Sequence, residues 1–153
     1  MNVLISACLL DLPCRYSGDG YPIPEPETLL ADGRVHLVPV CPEQLGGLAT
    51  PRPPAERTGA QVRTKTGEDV TEAYRRGADC TLTLAARLNC RCALLKARSP
   101  SCGSGIIYDG TFTGARIPGD GVAAEALKRA GMPVFDEEHL VEFWAFVDKE
   151  STV

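Results

Sequence analysis

The residues best able to do chemistry in this chain are its seven cysteines, at positions 8, 14, 41, 80, 90, 92 and 102. Sulfur ligands without histidine suit zinc or an iron-sulfur cluster, because soft donors favour those centres. The two histidines give little support for a Cys-His nucleophile pair: His36 lies in a strand-like run and His139 in the last helical stretch, and both read as structural. A structural zinc site usually draws on Cys-x2-4-Cys pairs, and none occurs here. The segment Leu4-Ile5-Ser6-Ala7-Cys8 superficially resembles a lipoprotein cleavage site, but no positive region or long apolar stretch precedes it. With an odd number of thiols, the expectation is a reducing cytoplasm in which cysteines are core residues, metal ligands or reactive groups.

Their neighbourhoods sort them. Cys80 lies in the amphipathic stretch Val70–Leu88, whose buried stripe is Tyr74, Gly77, Ala78, Thr81, Leu84, Ala85 and Leu88, and reads as half-buried filler. Cys90 and Cys92 open a strand and read as small buried thiols. Cys8, Cys14, Cys41 and Cys102 stand instead where an apolar run gives way to Gly, Pro and Ser: Cys8 follows the strand Asn2–Ala7, Cys41 follows Val35–Val40, and Cys102 follows Cys92–Lys96 across a short loop. Single thiols from three loops fit a cluster or an open metal site, and a cluster with three protein thiolates leaves one iron free as a Lewis acid. Glu43, two residues after Cys41, and Ser99 and Ser101, just before Cys102, would bring a carboxylate and hydroxyls to such a centre for acid/base work. Equally, Glu43 could cap the following turn and the serines could bond backbone. Gly103-Ser104-Gly105 lacks the Lys-Ser/Thr of a phosphate loop and the dinucleotide glycine pattern, which excludes ATP and NAD.

The elements that must position these residues follow from composition and period. The chain has 153 residues, close to one domain length of ~150, so residues 1–153 are expected to form one domain. Apolar residues at 44% and charged residues at 24% are ordinary for a globular protein with a sizeable core. The net charge of -4 provides no overall field to attract nucleic acid or an anionic membrane, and no run approaches the ~18 apolar residues of a membrane span. Glu25–Ala31 reads as a short helix stopped by Gly33, Cys41–Glu56 as an ordered loop without helix, Thr58–Gly67 as a peripheral hairpin, and Ala97–Asp120 as a long irregular segment. Asp120 is the expected N-cap of a helix ending at Gly131, and Met132–Phe135 a fourth strand. Glu137–Lys149 is a closing helix with Leu140, Val141, Phe143, Trp144 and Val147 inward. The β-α-β-α order predicts a single-domain, three-layer, Rossmann-like α/β fold with a largely parallel sheet and long loops at its carboxyl edge, where ligands bind.

Taken in order, the motifs become specific. Ser6-Ala7-Cys8-Leu9-Leu10 with Cys14-Arg15-Tyr16, Val38-Pro39-Val40-Cys41-Pro42-Glu43-Gln44-Leu45-Gly46-Gly47-Leu48 with Thr50-Pro51-Arg52, and Gly67-Glu68-Asp69-Val70-Thr71 come first. Lys96-Ala97-Arg98-Ser99-Pro100-Ser101-Cys102-Gly103, Ile107-Tyr108-Asp109-Gly110-Thr111-Phe112 and Gly119-Asp120-Gly121-Val122 follow. Together they closely resemble the TudS family of thiouracil desulfidases. The resemblance implies an oxygen-sensitive [4Fe-4S] cluster on three cysteines, Cys8, Cys41 and Cys102, whose remaining iron takes sulfur from a thiolated pyrimidine. It also implies a hydrolytic, non-redox reaction giving uracil and hydrogen sulfide from 2-thiouracil. Glu43 would move protons, Ser99 would orient or activate the ring, and Ser101 and Tyr108 would contact substrate. Cys14 matches a family position too and is an alternative to one of the three ligands. Asp11 stands where the family usually has Gly.

A small free base is the expected substrate. Thiolated nucleosides or tRNA are the alternative, since Arg52, Arg57, Arg63 and Lys65 could form a basic rim, although longer relatives that act on thiouridine in tRNA carry an extra C-terminal domain. Two other classes stay open: a non-catalytic cluster-binding sensor, and a thiol-redox enzyme using Cys8 and Cys14.

Overall fold

Four short apolar runs build the central sheet of the computed structural model, which describes residues 1–152. Strands β1 (Asn2–Ser6), β2 (His36–Val40), β5 (Cys90–Leu95) and β8 (Val134–Asp136) lie in the order β2-β1-β5-β8, and every pairing is parallel. Parallel sheets are covered on both faces, so their strands read as nearly continuous apolar runs. Alternation along each strand feeds two separate cores. Val3, Ile5, Cys92 and Leu94 pack against α1 (Pro26–Ala31) and α5 (Leu140–Ser151), whereas Leu4, Val40, Ala93 and Leu95 pack against α3 (Thr71–Arg87) and α4 (Val122–Arg129). The expected three-layer α/β arrangement is thus present. Pro39 is accommodated because β2 is an edge strand. No helix among the described residues is long and apolar enough to cross a membrane.

The chain leaves β1 to one side, forming β2, and returns to the other side of β1 as β5. Loops leaving the carboxyl ends of strands at such a reversal diverge and open a crevice, the usual ligand site of an open α/β sheet. Cys8 and Cys102 follow the two strands at the reversal, and Cys41 follows the neighbouring one.

Several local expectations need correction. Cys41–Glu56 contains a one-turn helix, α2 (Pro42–Leu45), with Pro42 at its first position, where a missing N–H costs nothing. The peripheral hairpin is β3 (Ala55–Thr58) with β4 (Gln61–Thr64), nearer the N-terminus than read from sequence. Ala97–Asp120 is not wholly irregular, since β6 (Ile106–Tyr108) and β7 (Arg116–Pro118) form a second antiparallel hairpin. Asp120 does not cap α4: its Oδ1 accepts the Gly105 N–H at 2.8 Å and pairs with Lys128 at 2.7 Å, while Gly121 holds the cap position. Val141 is 81% exposed and Leu88 lies beyond the end of α3, so neither faces the core. His139 precedes α5 rather than lying inside it and is bonded to Asp136.

Candidate active site

Two close backbone approaches fix the positions of the loops. α2 lies on α3 at Gly46 and Gly77: a Cβ at Gly77 would sit 1.9 Å from the Pro42 carbonyl oxygen, and one at Gly46 would sit 2.0 Å from that of Ala73. Arg76 then clamps the junction, its guanidinium donating to the Gly46 carbonyl at 3.0 and 3.1 Å. This contact sets the direction of Cys41 and Glu43. On the other side, the Ser99–Gly103 loop sits on the start of α4, where Val122, Ala123 and Ala124 donate N–H bonds to the Pro100 and Ser101 carbonyls. Cys8 lies in a 3₁₀ turn, Ala7–Leu10, closed by Asp11 in the left-handed region at φ 64°. That conformation explains why glycine suits the position and why Asp, among the residues that tolerate it best, can replace it.

These loops surround a cavity of about 390 Å³ lined by Cys8, Cys14, Cys41, Cys102, Glu43, Ser99, Ser101 and Tyr108, among others. The structure therefore brings every site residue expected from the sequence to one place, with Cys14 beside Cys8 and Cys41. Cys80, Cys90 and Cys92 lie outside it. All seven thiols are free. Burial pushes the Cys102 thiol up to about 12. Cys41 is raised by its hydrogen bond with Cys14 and by burial. A bond with Cys41 lowers the Cys14 thiol, but its bond with Cys8 and its burial outweigh this, and it too is raised. Nucleophilic thiols sit in environments that lower their pKa, so the raised Cys14 thiol is poorly suited to nucleophilic attack.

Glu43 is held from both sides. Arg52 Nε donates to its Oε1 at 3.0 Å, and the Ser101 hydroxyl donates to its Oε2 at 2.8 Å. The Arg52 side chain is only 7% exposed and that of Glu43 14%. The same guanidinium also donates to the carbonyls of Ala49 and Cys14 and to Thr50 Oγ1, joining the Cys14 loop to the carboxylate. Arg52 is therefore a buried clamp rather than part of a basic rim. Of its supposed rim partners, Arg57 pairs with Glu125, Arg63 lies on the exposed hairpin beside Asp69, and Lys65 alone lines the cavity. Tyr74, read from sequence only as core, also lines the cavity, and burial together with the nearby Glu43 charge raises its phenol well above the usual range.

Hydrogen-bond directions in the serine pair follow from counting. Ser99 Oγ accepts the backbone N–H of Ser101 and of Cys102, each at 3.1 Å, which fills both of its lone pairs. Its own proton must then go to Ser101 Oγ, 3.0 Å away, while the Ser101 proton goes to Glu43. The result is a directed chain, Ser99 to Ser101 to Glu43, with Ser101 only 2% exposed. The sequence suggested both serines but not their order.

Lys96, which lines the cavity, forms an ion pair with Glu137 that the sequence does not reveal, with Nζ 2.9 Å from Oε1 and the ammonium 4.2 Å from the centre of the Tyr21 ring. Glu137 Oε2 also accepts the Ala97 N–H at 2.7 Å, which anchors the start of the Ser99–Cys102 loop. A carboxylate 40 residues distant leaves no local sequence signal.

Fold and site together define a parallel α/β protein with a sulfur-donor pocket and a relayed carboxylate at the reversal point of its sheet. The chain belongs to the 2-thiouracil desulfurase family, whose model matches residues 3–139. It is 45% identical over 148 residues to the uncharacterized protein YbbK of Bacillus subtilis (strain 168), covering 90% of this chain and 97% of that one. Among solved structures, the [4Fe-4S]-dependent thiouracil desulfidase TudS superposes with a TM-score of 0.90 at 45% identity, over 96% of this chain and 97% of its own. The resemblance carried by the sequence motifs thus extends to the fold.

Proposed function

We propose that this chain hydrolyses the carbon-sulfur bond of thiolated pyrimidines, 2-thiouracil and water giving uracil and hydrogen sulfide, with a [4Fe-4S] cluster held by Cys8, Cys41 and Cys102. The observation that carries this reading is the convergence of those three strand-end thiols with Glu43 and its serine chain on one cavity. The donor set suits such a group: it is all sulfur, from three separate loops, and histidine is absent from the cavity. Among the described residues no three Cys, His or carboxylate side chains converge closely enough for a single ion. When bound, the cluster supplies a soft Lewis-acid iron that polarises the thione.

The remaining chemistry falls to the protein. Oxygen replaces sulfur at one carbon without change of oxidation level, so the reaction needs only proton movement. Glu43 takes a proton from the attacking water, and the departing sulfide leaves with both protons that the water brought. Arg52 keeps the carboxylate oriented, with Oε1 held and Oε2 facing the serines. Ser99, through Ser101, holds Oε2 of Glu43 in a fixed orientation at the cavity wall. Tyr108 supplies part of the cavity wall. The volume of the cavity is in the range of small-molecule sites and accommodates a pyrimidine.

Iron and acid-labile sulfide content after anaerobic reconstitution tests the ligand set. Wild type and Cys14→Ser should carry the full cluster, and serine at Cys8, Cys41 or Cys102 should abolish or degrade it. Retention in one of those three with loss in Cys14→Ser would transfer the ligand role to Cys14, and a wild type that assembles no cluster would overturn the reading.

A further inference from the structure

Phe112 is an aromatic residue whose placement core packing does not explain. It is half-buried, belongs to neither apolar core, and lines the cavity together with Tyr108 of the same hairpin. Its φ of 57° lies in the left-handed region, which is costly for a bulky side chain and persists only where the surroundings impose it.

The surroundings do impose it. Glu56, on β3, accepts the backbone N–H of Gly110 at 2.9 Å and that of Phe112 at 3.1 Å with one oxygen, Oε1. Gly110 rests directly on β3: a Cβ there would lie 2.1 Å from Thr58 Oγ1, and its φ of +95° is itself one that favours glycine. Within the turn, Asp109 donates its N–H to the Ala115 carbonyl at 3.0 Å, and its carboxylate accepts the Thr111 N–H at 2.9 Å. A strained aromatic residue clamped by a carboxylate from another hairpin is a feature of a binding wall.

We propose that Phe112 is a specificity-determining residue of this cavity: held in its strained conformation by Glu56, it presents its ring to one face of a flat heteroaromatic substrate. Such a surface selects for planar rings, because stacking rewards a flat π-face and a non-planar ligand cannot lie against it. The inference rests on the reading that the cavity takes a pyrimidine, and it adds the residue that recognises the ring as distinct from those that act on its sulfur.

The test compares cluster-loaded wild type with Phe112→Gly, Phe112→Tyr and Glu56→Ala. The readouts are Kd for uracil and 2-thiouracil by calorimetry, KM and kcat for sulfide release, and Tm. Losing one stacked ring should raise Kd and KM about tenfold or more in Phe112→Gly. Its kcat should stay within about twofold, because uniform binding is what is lost. Its Tm should not fall, since glycine adopts positive φ without penalty. Phe112→Tyr should behave as wild type, and Glu56→Ala should raise Kd in the same direction. Unchanged Kd and KM in Phe112→Gly, with or without a lower Tm, would overturn the inference, as would a wild type that binds neither pyrimidine. A wild type that binds 2-thiouracil in a Phe112-dependent way but releases no sulfide would support the aromatic wall while refuting the reaction proposed above.

Discussion

Replacing Gly77 by alanine adds one methyl group 1.9 Å from the Pro42 carbonyl oxygen and 2.8 Å from its carbonyl carbon. Both partners are backbone, so no side chain can rotate away. Restoring even a tight 3.0 Å contact requires α2 to retreat from α3 by about 1.1 Å, from 1.9 Å. Cys41 and Glu43 flank Pro42 and move with it. The Glu43 bonds to Ser101 and Arg52, 2.8 and 3.0 Å long, would then stretch beyond hydrogen-bonding range. Overpacking of this kind costs about 1–3 kcal/mol, and up to about 1 kcal/mol returns because alanine is the better helix former, so a net loss of about 0–3 kcal/mol is expected. A displacement of about 1 Å at a catalytic group costs on the order of a hundredfold in rate. Gly77→Ala should therefore fold, show a modest drop in denaturation midpoint, and lose about a hundredfold in sulfide release from 2-thiouracil. Gly33→Ala, at a position with nothing within 4 Å, is the matched control and should lose neither. Full activity in Gly77→Ala would refute the claim that close α2–α3 contact sets the position of Glu43.

Ser101→Ala removes the middle of the chain from Ser99 to Glu43 and should lower kcat by about 10²–10⁴ while iron content stays at the wild-type value; unchanged kcat would exclude a relay. The His139 imidazole is raised above 6.5 by its hydrogen bond to Asp136 and that carboxylate's charge. The protonated form is therefore favoured by folding, and its stabilisation is present below pH 6.5 and disappears as pH rises through the folded-state value. An NMR titration should place the His139 midpoint above 6.5, and Asp136→Asn should bring it back toward that value; a wild-type midpoint at or below 6.5 would contradict the pairing.

How far the sequence reveals this arrangement depends on the range of the interaction. β1, β2 and β5 are legible because strands covered on both faces are nearly continuous apolar runs, and α3 because seventeen residues carry several turns of period. The strand-end positions of Cys8, Cys41 and Cys102 follow from those assignments. The helix α2 escapes because one turn has no period to read, and its Pro42 start and Gly46 end look like any Pro/Gly-rich loop. The hairpin of β6 and β7 escapes for a similar reason, with three residues in each strand. Val141 and Leu88 show the converse error: apolar residues at helical spacing near a helix end are assigned inward, although the core is already filled by Phe143 and Val147 on one side and Ala85 on the other. Arg52 was visible only as a cation; its burial against Glu43 and the Cys14 carbonyl is a tertiary fact.

The central claim is that the thiol-lined cavity with its serine-linked Glu43 desulfurates thiolated pyrimidines hydrolytically. It is tested most directly by sulfide release from 2-thiouracil, under strict anaerobiosis and without added reductant, comparing reconstituted wild type, the metal-free protein and reconstituted Glu43→Ala. The account predicts stoichiometric uracil and sulfide from reconstituted wild type alone. Equal turnover by metal-free protein or by Glu43→Ala, or a fully assembled cluster that releases no sulfide from any thiolated pyrimidine, would contradict it.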